Sequence, residues 1–191
     1  MSFNIRYGTA PDGDHAWPKR RDLVFRLIND HPYDVIGLQE ALKFQIDEII
    51  ESSKGAYASF GVGRDDGKES GEYSPILYRT GRLTLDPDPA TRGTVWLSDT
   101  PDKPGSKSWG NDIPRIFTFA KFTVVGSDRP LWVYNTHFDH RSEPSRRRSA
   151  EAITLHMEAF AKADPIILTG DLNCGESSQA VRQFRGQVPR I

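Results

Sequence analysis

Four short segments hold the side chains best suited to chemistry. Gly170-Asp171-Leu172-Asn173 follows the apolar run Ile166-Ile167-Leu168. In extended backbone, residues i and i+2 point the same way, so Asp171 and Asn173 share a face at a strand exit. A carboxylate there can orient or deprotonate a water, and an amide can hold a substrate oxygen. Gly, Asp and Asn are also ordinary turn residues, so this segment does not decide the matter alone. Asn135-Thr136-His137-Phe138-Asp139-His140 repeats the i, i+2 logic with Asn135, His137 and Asp139. A histidine at such an exit can protonate or stabilise a phosphoryl oxygen, or ligate a metal. The His137/His140 pair lacks the helical i, i+4 spacing of the common zinc hydrolases, and no cysteine cluster supports zinc. Glu40 follows Val35-Ile36-Gly37-Leu38-Gln39. It is a candidate hard-cation ligand, since Mg²⁺ commonly takes one or two protein carboxylates, although an acid at a helix start is the blander reading. Asn4 lies on the polar face of the opening strand.

These residues need strands that end together. Residues 2–7 alternate apolar and polar, as a half-buried strand does. Residues 19–31 place Leu23, Val24, Leu27 and Ile28 at helical spacing after Pro18, and Pro32 ends that helix. Residues 34–40 read as a buried strand, and Phe44, Ile46, Ile49 and Ile50 as a second amphipathic helix. Further strands are expected at 57–62, 74–79, 94–97 and 115–125, the last apolar on both sides and so between two layers. Glycine- and proline-rich connections at 61–71 and 100–114 are long enough to suggest function. The last third offers strands at 131–136 and 165–169 and helices at 144–163 and 177–184. In the longer helix, Ala152, Leu155, Met157, Ala159 and Phe160 are the candidates for the buried side. Such a pattern fits an α/β domain of packed sheets with outer helices. Each of the four chemical segments lies in or after a separate apolar strand, the usual place for an active site on a layered sheet protein.

Composition narrows the field without naming anything. The 191 residues carry 25 basic and 26 acidic side chains, which does not imply a wide nucleic-acid surface. Hydrophobic residues at 37% and charged residues at 27% exclude a disordered chain. No apolar run approaches a membrane span, and the first residues contain no leader-like apolar stretch, so a cytoplasmic location is the default expectation. No obligate protein partner is implied. The single Cys174 cannot form an internal disulfide and reads as structural. Residues 61–68 are not a phosphate loop, because Glu69 stands where Ser or Thr is needed. Arg146-Arg147-Arg148 reads first as a solvated helix face. Among the tryptophans, Trp132 is expected in the core and Trp109 is the better candidate for a ligand.

Ser2-Phe3-Asn4-Ile5-Arg6-Tyr7, Gly37-Leu38-Gln39-Glu40, Asn135-Thr136-His137 and Gly170-Asp171-Leu172-Asn173 resemble, in order and spacing, the motifs of the endonuclease/exonuclease/phosphatase superfamily. That group includes deoxyribonuclease I, inositol polyphosphate 5-phosphatases, neutral sphingomyelinases and deadenylases. Arg20-Arg21-Asp22-Leu23 and residues 61–67 look like its bacterial members. The resemblance covers essentially the whole chain as one domain, 1–191. It implies a four-layer α/β/β/α sandwich. It also implies a metal-dependent phosphoesterase, with Glu40 and Asn4 on Mg²⁺ (Mn²⁺ as an alternative). Asp171 would position or activate the attacking water, Asn173 would fix the scissile phosphate, and His137 would contact a phosphate oxygen. Asn135 joins them as a substrate-side residue, and Tyr78 matches a family tyrosine near the phosphate. Arg115 is a phosphate partner by its guanidinium geometry, with a strand-end charge as the alternative.

The superfamily closes with a further strand and an Asp-His pair. Here the histidines are His15, His31, His137, His140 and His156, all before Asn173. The expectation is therefore a domain lacking its C-terminal strands, with impaired activity. The substrate is left open among nucleic acid, phospholipid head group and sugar phosphate. A catalytically silent binding module retaining the fold is the alternative from another class, and a nucleotide-binding regulatory domain lacks any phosphate-loop signature.

Overall fold

In the computed structural model, which describes residues 1–187, apolar periodicity resolves into two sheets, each covered by helices on its outer face. The first sheet holds β1 (Ser2–Asn4), β2 (Val35–Gln39), β3 (Tyr57–Phe60) and β4 (Ile76–Arg79), in the order β1-β2-β4-β3. Helices α1 (Trp17–Asn29) and α2 (Lys43–Ser52) pack on it through Trp17, Val24, Ile28, Ile46 and Ile49, which meet Ile5, Ile36, Leu38 and Leu77. The second sheet is built on the long β7 (Ile116–Val124). Strands β5 (Leu83–Leu85) and β6 (Arg92–Trp96) pair with it, and β8 (Pro130–His137) and β9 (Ile166–Asp171) follow in order. Helices α3 (Glu143–Phe160) and α4 (Gln179–Phe184) cover its outer face.

Strand β7 shows why the layers form. Phe117 and Phe119 join Trp132, Tyr134, Ala150 and Ile153 on the helical side, while Ala120 and Phe122 join Val35, Ile76 and Val133 between the sheets. Both faces of the strand are buried, so both carry apolar residues. The four-layer α/β/β/α expectation is met in these described residues.

Several local expectations needed correcting. Strand β5 carries only a three-residue alternation, too short to mark it in the sequence. Helix α3 buries Ser145, Ser149, Ala150 and Ile153 rather than its larger residues; Leu155 stays 53% exposed and Phe160 46%. Positions 145, 149 and 153 form an i, i+4 stripe of mostly small side chains, which lets the helix approach the sheet closely. Leu23 on α1 is likewise exposed, and so are Ile166 and Ile167 on β9. Residues 188–191 lie outside the described residues. Among the described residues no helix is long and apolar enough to cross a membrane.

Candidate active site

Strand register brings the chemical segments together. The parallel pair β8 and β9 sets His137 opposite Asp171, and the parallel pair β1 and β2 sets Asn4 opposite Gln39. All four strands leave their sheets at one end. There Arg6, Tyr7, Glu40, Glu72, Ile113, Arg115, His137, His140, Asp171 and Asn173 line an open cleft of about 260 Å³. Arg6, Glu40 and Asn173 take positive φ values of 58°, 60° and 49°. This left-handed region costs roughly 1–2 kcal/mol for a residue with a Cβ, Asn least, so the rim is held in place by its neighbours.

Asn4 joins the two sheets. Its Nδ2 donates to Glu40 Oε1 at 2.9 Å and to Asp171 Oδ2 at 3.0 Å, while its Oδ1 accepts from the Arg6 backbone N–H at 2.9 Å. The other Glu40 oxygen accepts from the Tyr7 N–H at 3.2 Å, and Asp171 Oδ1 from the Asn173 N–H at 3.0 Å. Burial alone would raise the Asp171 pKa. The Asn4 amide, the Asn173 N–H and nearby positive charge outweigh it and hold the carboxyl below its usual range. Asp171 is therefore an acceptor at neutral pH. Asn173 donates one Nδ2 hydrogen to the Phe138 carbonyl at 2.9 Å, leaving the rest of its amide to the cleft.

His137 sits 3.9 Å from Asp171 Oδ2 through Nε2 and 4.0 Å from Glu72 Oε2 through Nδ1. Burial, and then the Arg115 charge, push its pKa down to about 4. It is neutral at neutral pH, and its Nδ1 has no hydrogen-bond partner. Glu72 is held by a two-pronged contact with Arg64, at 2.7 and 2.9 Å. Burial nonetheless raises the Glu72 pKa.

Four expected site residues have surroundings that their spacing does not show. Asn135 is fully buried and does not face the cleft. Its Nδ2 donates to the Leu38 and Pro75 carbonyls at 2.7 and 2.8 Å, and its Oδ1 accepts from Gln39 Nε2 and Thr169 Oγ1 at 2.7 and 3.0 Å. Every polar atom is engaged, so Asn135 fastens the two sheets and has nothing to offer a substrate. Tyr78 stands opposite Val35 at the start of β2, the far end from Glu40, and packs on Phe122 with ring centroids 4.9 Å apart. Because β4 runs antiparallel to β2, its later residues lead away from the cleft. Arg115 borders the cleft but is 2% exposed; Nη2 donates to His140 Nδ1 at 3.0 Å, Nε pairs with the Asp139 carboxylate at 3.6 Å without a hydrogen bond, and Nη1 is enclosed without a hydrogen-bond partner. It supplies positive charge rather than an open fork. Asn4 turns its NH₂ to the carboxylates, with its oxygen taken by the Arg6 N–H, so as placed it bridges Glu40 and Asp171.

Sequence reasoning passed over Arg6, Glu72 and Arg64. Glu72 and Arg64 stand on an irregular segment with no strand-exit spacing to mark them, whereas Arg6 shares the i, i+2 face of Asn4 in the opening alternation. Glu72 precedes Tyr73, whose backbone bridges Ala41, the residue after Glu40. Of the tryptophans, Trp17, Trp96 and Trp132 are buried; Trp109 is half-buried and donates to Asp99 Oδ1 at 2.8 Å. Cys174 accepts a hydrogen bond from Ser178 Oγ at 3.1 Å, in keeping with a structural role.

A divalent cation can be weighed against these side chains. Among the described residues no three His, Cys, Asp or Glu side chains converge as a ligand cluster, which disfavours a protein-saturated cage. Mg²⁺ does not need one, because it keeps several waters and takes one or two carboxylates. Glu40 and Asp171 offer hard oxygens at the cleft with lone pairs to spare, so the residues fit such an ion.

Comparison with known proteins agrees with this fold. A crystal structure of an endonuclease/exonuclease/phosphatase from Bacteroides vulgatus superposes with a TM-score of 0.91 at 36% identity, over 97% of this chain and 69% of that one. A mannosyl-6-phosphatase from Bacteroides thetaiotaomicron gives a TM-score of 0.90 at 33% identity, over 97% and 69%. An uncharacterised protein of Acanthamoeba polyphaga mimivirus is 31% identical over 168 residues, or 83% of this chain and 60% of that protein. The chain thus spans about three fifths of the length of that relative. The model of the Endonuclease/Exonuclease/phosphatase family matches residues 1–189, and the chain belongs to that family.

Proposed function

We propose that this chain is a phosphate-ester hydrolase, a single domain over residues 1–191 whose cleft is assembled between the two sheets. The observation that carries this reading is Asn4 bridging Glu40 and Asp171, carboxylates from opposite sheets, beside a neutral, buried His137. The likeness to a mannosyl-6-phosphatase supports phosphate esters as the substrate class, with monoester and diester both open.

Glu40, with Asp171 beside it, would hold a divalent cation, Mg²⁺ or Mn²⁺. When bound, such an ion offsets negative charge on phosphate oxygens and favours hydroxide over water. The chain's own residues do the rest. Asp171, kept ionised, orients a water and accepts its proton at Oδ2. Asn173 holds a phosphate oxygen through its remaining N–H. His137 Nε2 stands close enough to Asp171 to share work at the same oxygen, and Arg115 places a fixed positive charge behind it. In-line attack loads the non-bridging and leaving oxygens with negative charge, so donors and cations aimed there lower the barrier.

Isothermal titration with Mg²⁺ and Mn²⁺ tests the reading. Binding that disappears in Glu40→Gln is the expected result. Equal titration curves for wild type and Glu40→Gln would favour a silent binding module that kept the fold.

A further inference from the structure

His140 is exposed on the cleft rim, yet its orientation is fixed from below. Asp139, 1% exposed, accepts the Arg141 and Ser142 backbone N–H groups at 2.9 and 2.7 Å through Oδ1. Its Oδ2 lies 3.6 Å from Arg115 Nε. Arg146 Nη1 donates to the Asp139 carbonyl at 2.9 Å. Arg115, placed by that carboxylate, presents Nη2 to His140 Nδ1 at 3.0 Å.

The chemistry of that last contact decides a tautomer. A guanidinium has five donors and no acceptor, so His140 Nδ1 must be the accepting atom. A neutral imidazole whose Nδ1 accepts carries its proton on Nε2. No residue described takes that proton, and the ring borders the cleft. His140 is thus an N–H donor left free at the place where Asp171, Asn173 and Glu40 converge. A buried positive charge stands directly behind it to strengthen donation to an anion. His137 differs at each point: it is buried, and its Nδ1 lies next to a carboxylate.

We infer that His140 contacts the substrate, donating its Nε2–H to a phosphoryl oxygen, and that Arg115 is the positioning residue that sets this tautomer. The inference rests on the phosphate-ester reading above and adds a contact to it.

The test uses the ¹⁵N-labelled full chain with Mg²⁺ and inorganic phosphate as the probe. Long-range ¹H–¹⁵N spectra should show His140 as the Nε2–H form in wild type. In Arg115→Lys, which keeps a charge but loses the fork, the two tautomers should mix. His140→Ala, a change at an exposed position, should weaken phosphate binding roughly tenfold, the size expected for one hydrogen bond to a charged group. His140→Gln, which keeps a donor, should recover part of that loss. A wild-type Nδ1–H tautomer, or equal phosphate affinity in wild type and His140→Ala, would overturn the inference while leaving the hydrolase reading intact. Wild type that binds no phosphate at all would overturn the hydrolase reading, and this inference with it.

Discussion

Asn135 and His137 stand two residues apart on one strand and on the same face, yet they live in different chemical worlds. Asn135 is sealed between the sheets with four hydrogen bonds. His137, one step nearer the strand's end, has a ring nitrogen with no partner and a neighbouring carboxylate at each edge. Alternation along β8 fixes the shared face, but depth in the sandwich fixes the role. A polar group deep between sheets must be satisfied or it costs stability, whereas one at the exit can be left unsatisfied for a ligand. The same division separates Gln39, which serves Asn135, from Glu40, which serves the cleft.

The comparison can be broken at its buried half first. Gly37 has no room for a Cβ, which would run into the Thr169 hydroxyl and the Asn135 amide. Gly37→Ala should force the sheets apart there and cost about 3 kcal/mol or more, in line with overpacking and a disrupted buried network. Asn135→Ala should cost about 3 kcal/mol, since it removes four buried hydrogen bonds, to the Leu38 and Pro75 carbonyls, the Gln39 amide and the Thr169 hydroxyl. Urea unfolding midpoints check both. A loss under about 1 kcal/mol for Asn135→Ala would return Asn135 to the list of substrate-side candidates.

Acid sharpens the same contrast with a smaller effect. Burial lowers the His156 pKa to about 4, as burial and Arg115 do for His137, from an ordinary 6.5. The folded state then binds fewer protons than the unfolded state below pH 6.5. Stability should be full above that pH and decline as pH falls toward 4, by at most ~1.4 kcal/mol per pH unit for each histidine. His156→Phe keeps the stacking against Phe160 and removes one of the two contributions. Thermal unfolding from pH 7 to 4 should show a shallower slope in that variant; an unchanged slope would mean that His156 does not carry the effect.

The smallest effect is expected at Tyr78. Tyr78→Phe should change stability by less than ~0.5 kcal/mol and leave any hydrolysis untouched, because the ring packs far from Glu40. A drop in rate would restore it to the site.

Much of the fold was legible because buried strands must be apolar: β2, β7 and β8 announced themselves, and the motifs at their ends located the cleft. What sequence could not show was depth and direction. Asn135 and His137 obey one spacing rule and differ only in tertiary surroundings. Tyr78 has the right neighbours but sits on a strand that runs away from the site. Arg115 has the right chemistry, but burial turns its donors inward. Glu72 and Arg64 gain their place from a long irregular connection that carries no periodic signal. Helix α3 misled because its largest apolar residues cluster near its C-terminal end, while small residues make the tight contact with the sheet.

The central claim is that the cleft where Glu40 and Asp171 meet across Asn4 hydrolyses phosphate esters. Hydrolysis of p-nitrophenyl phosphate and bis-p-nitrophenyl phosphate, with and without Mg²⁺, tests it most directly when wild type is set beside Asp171→Asn. Metal-dependent release of p-nitrophenol from at least one of the two esters is expected, reduced roughly 10²- to 10⁴-fold in Asp171→Asn, with the urea midpoint of the variant little changed. Hydrolysis that persists at the wild-type rate in Asp171→Asn, or no metal-dependent hydrolysis of either ester by wild type, would contradict it.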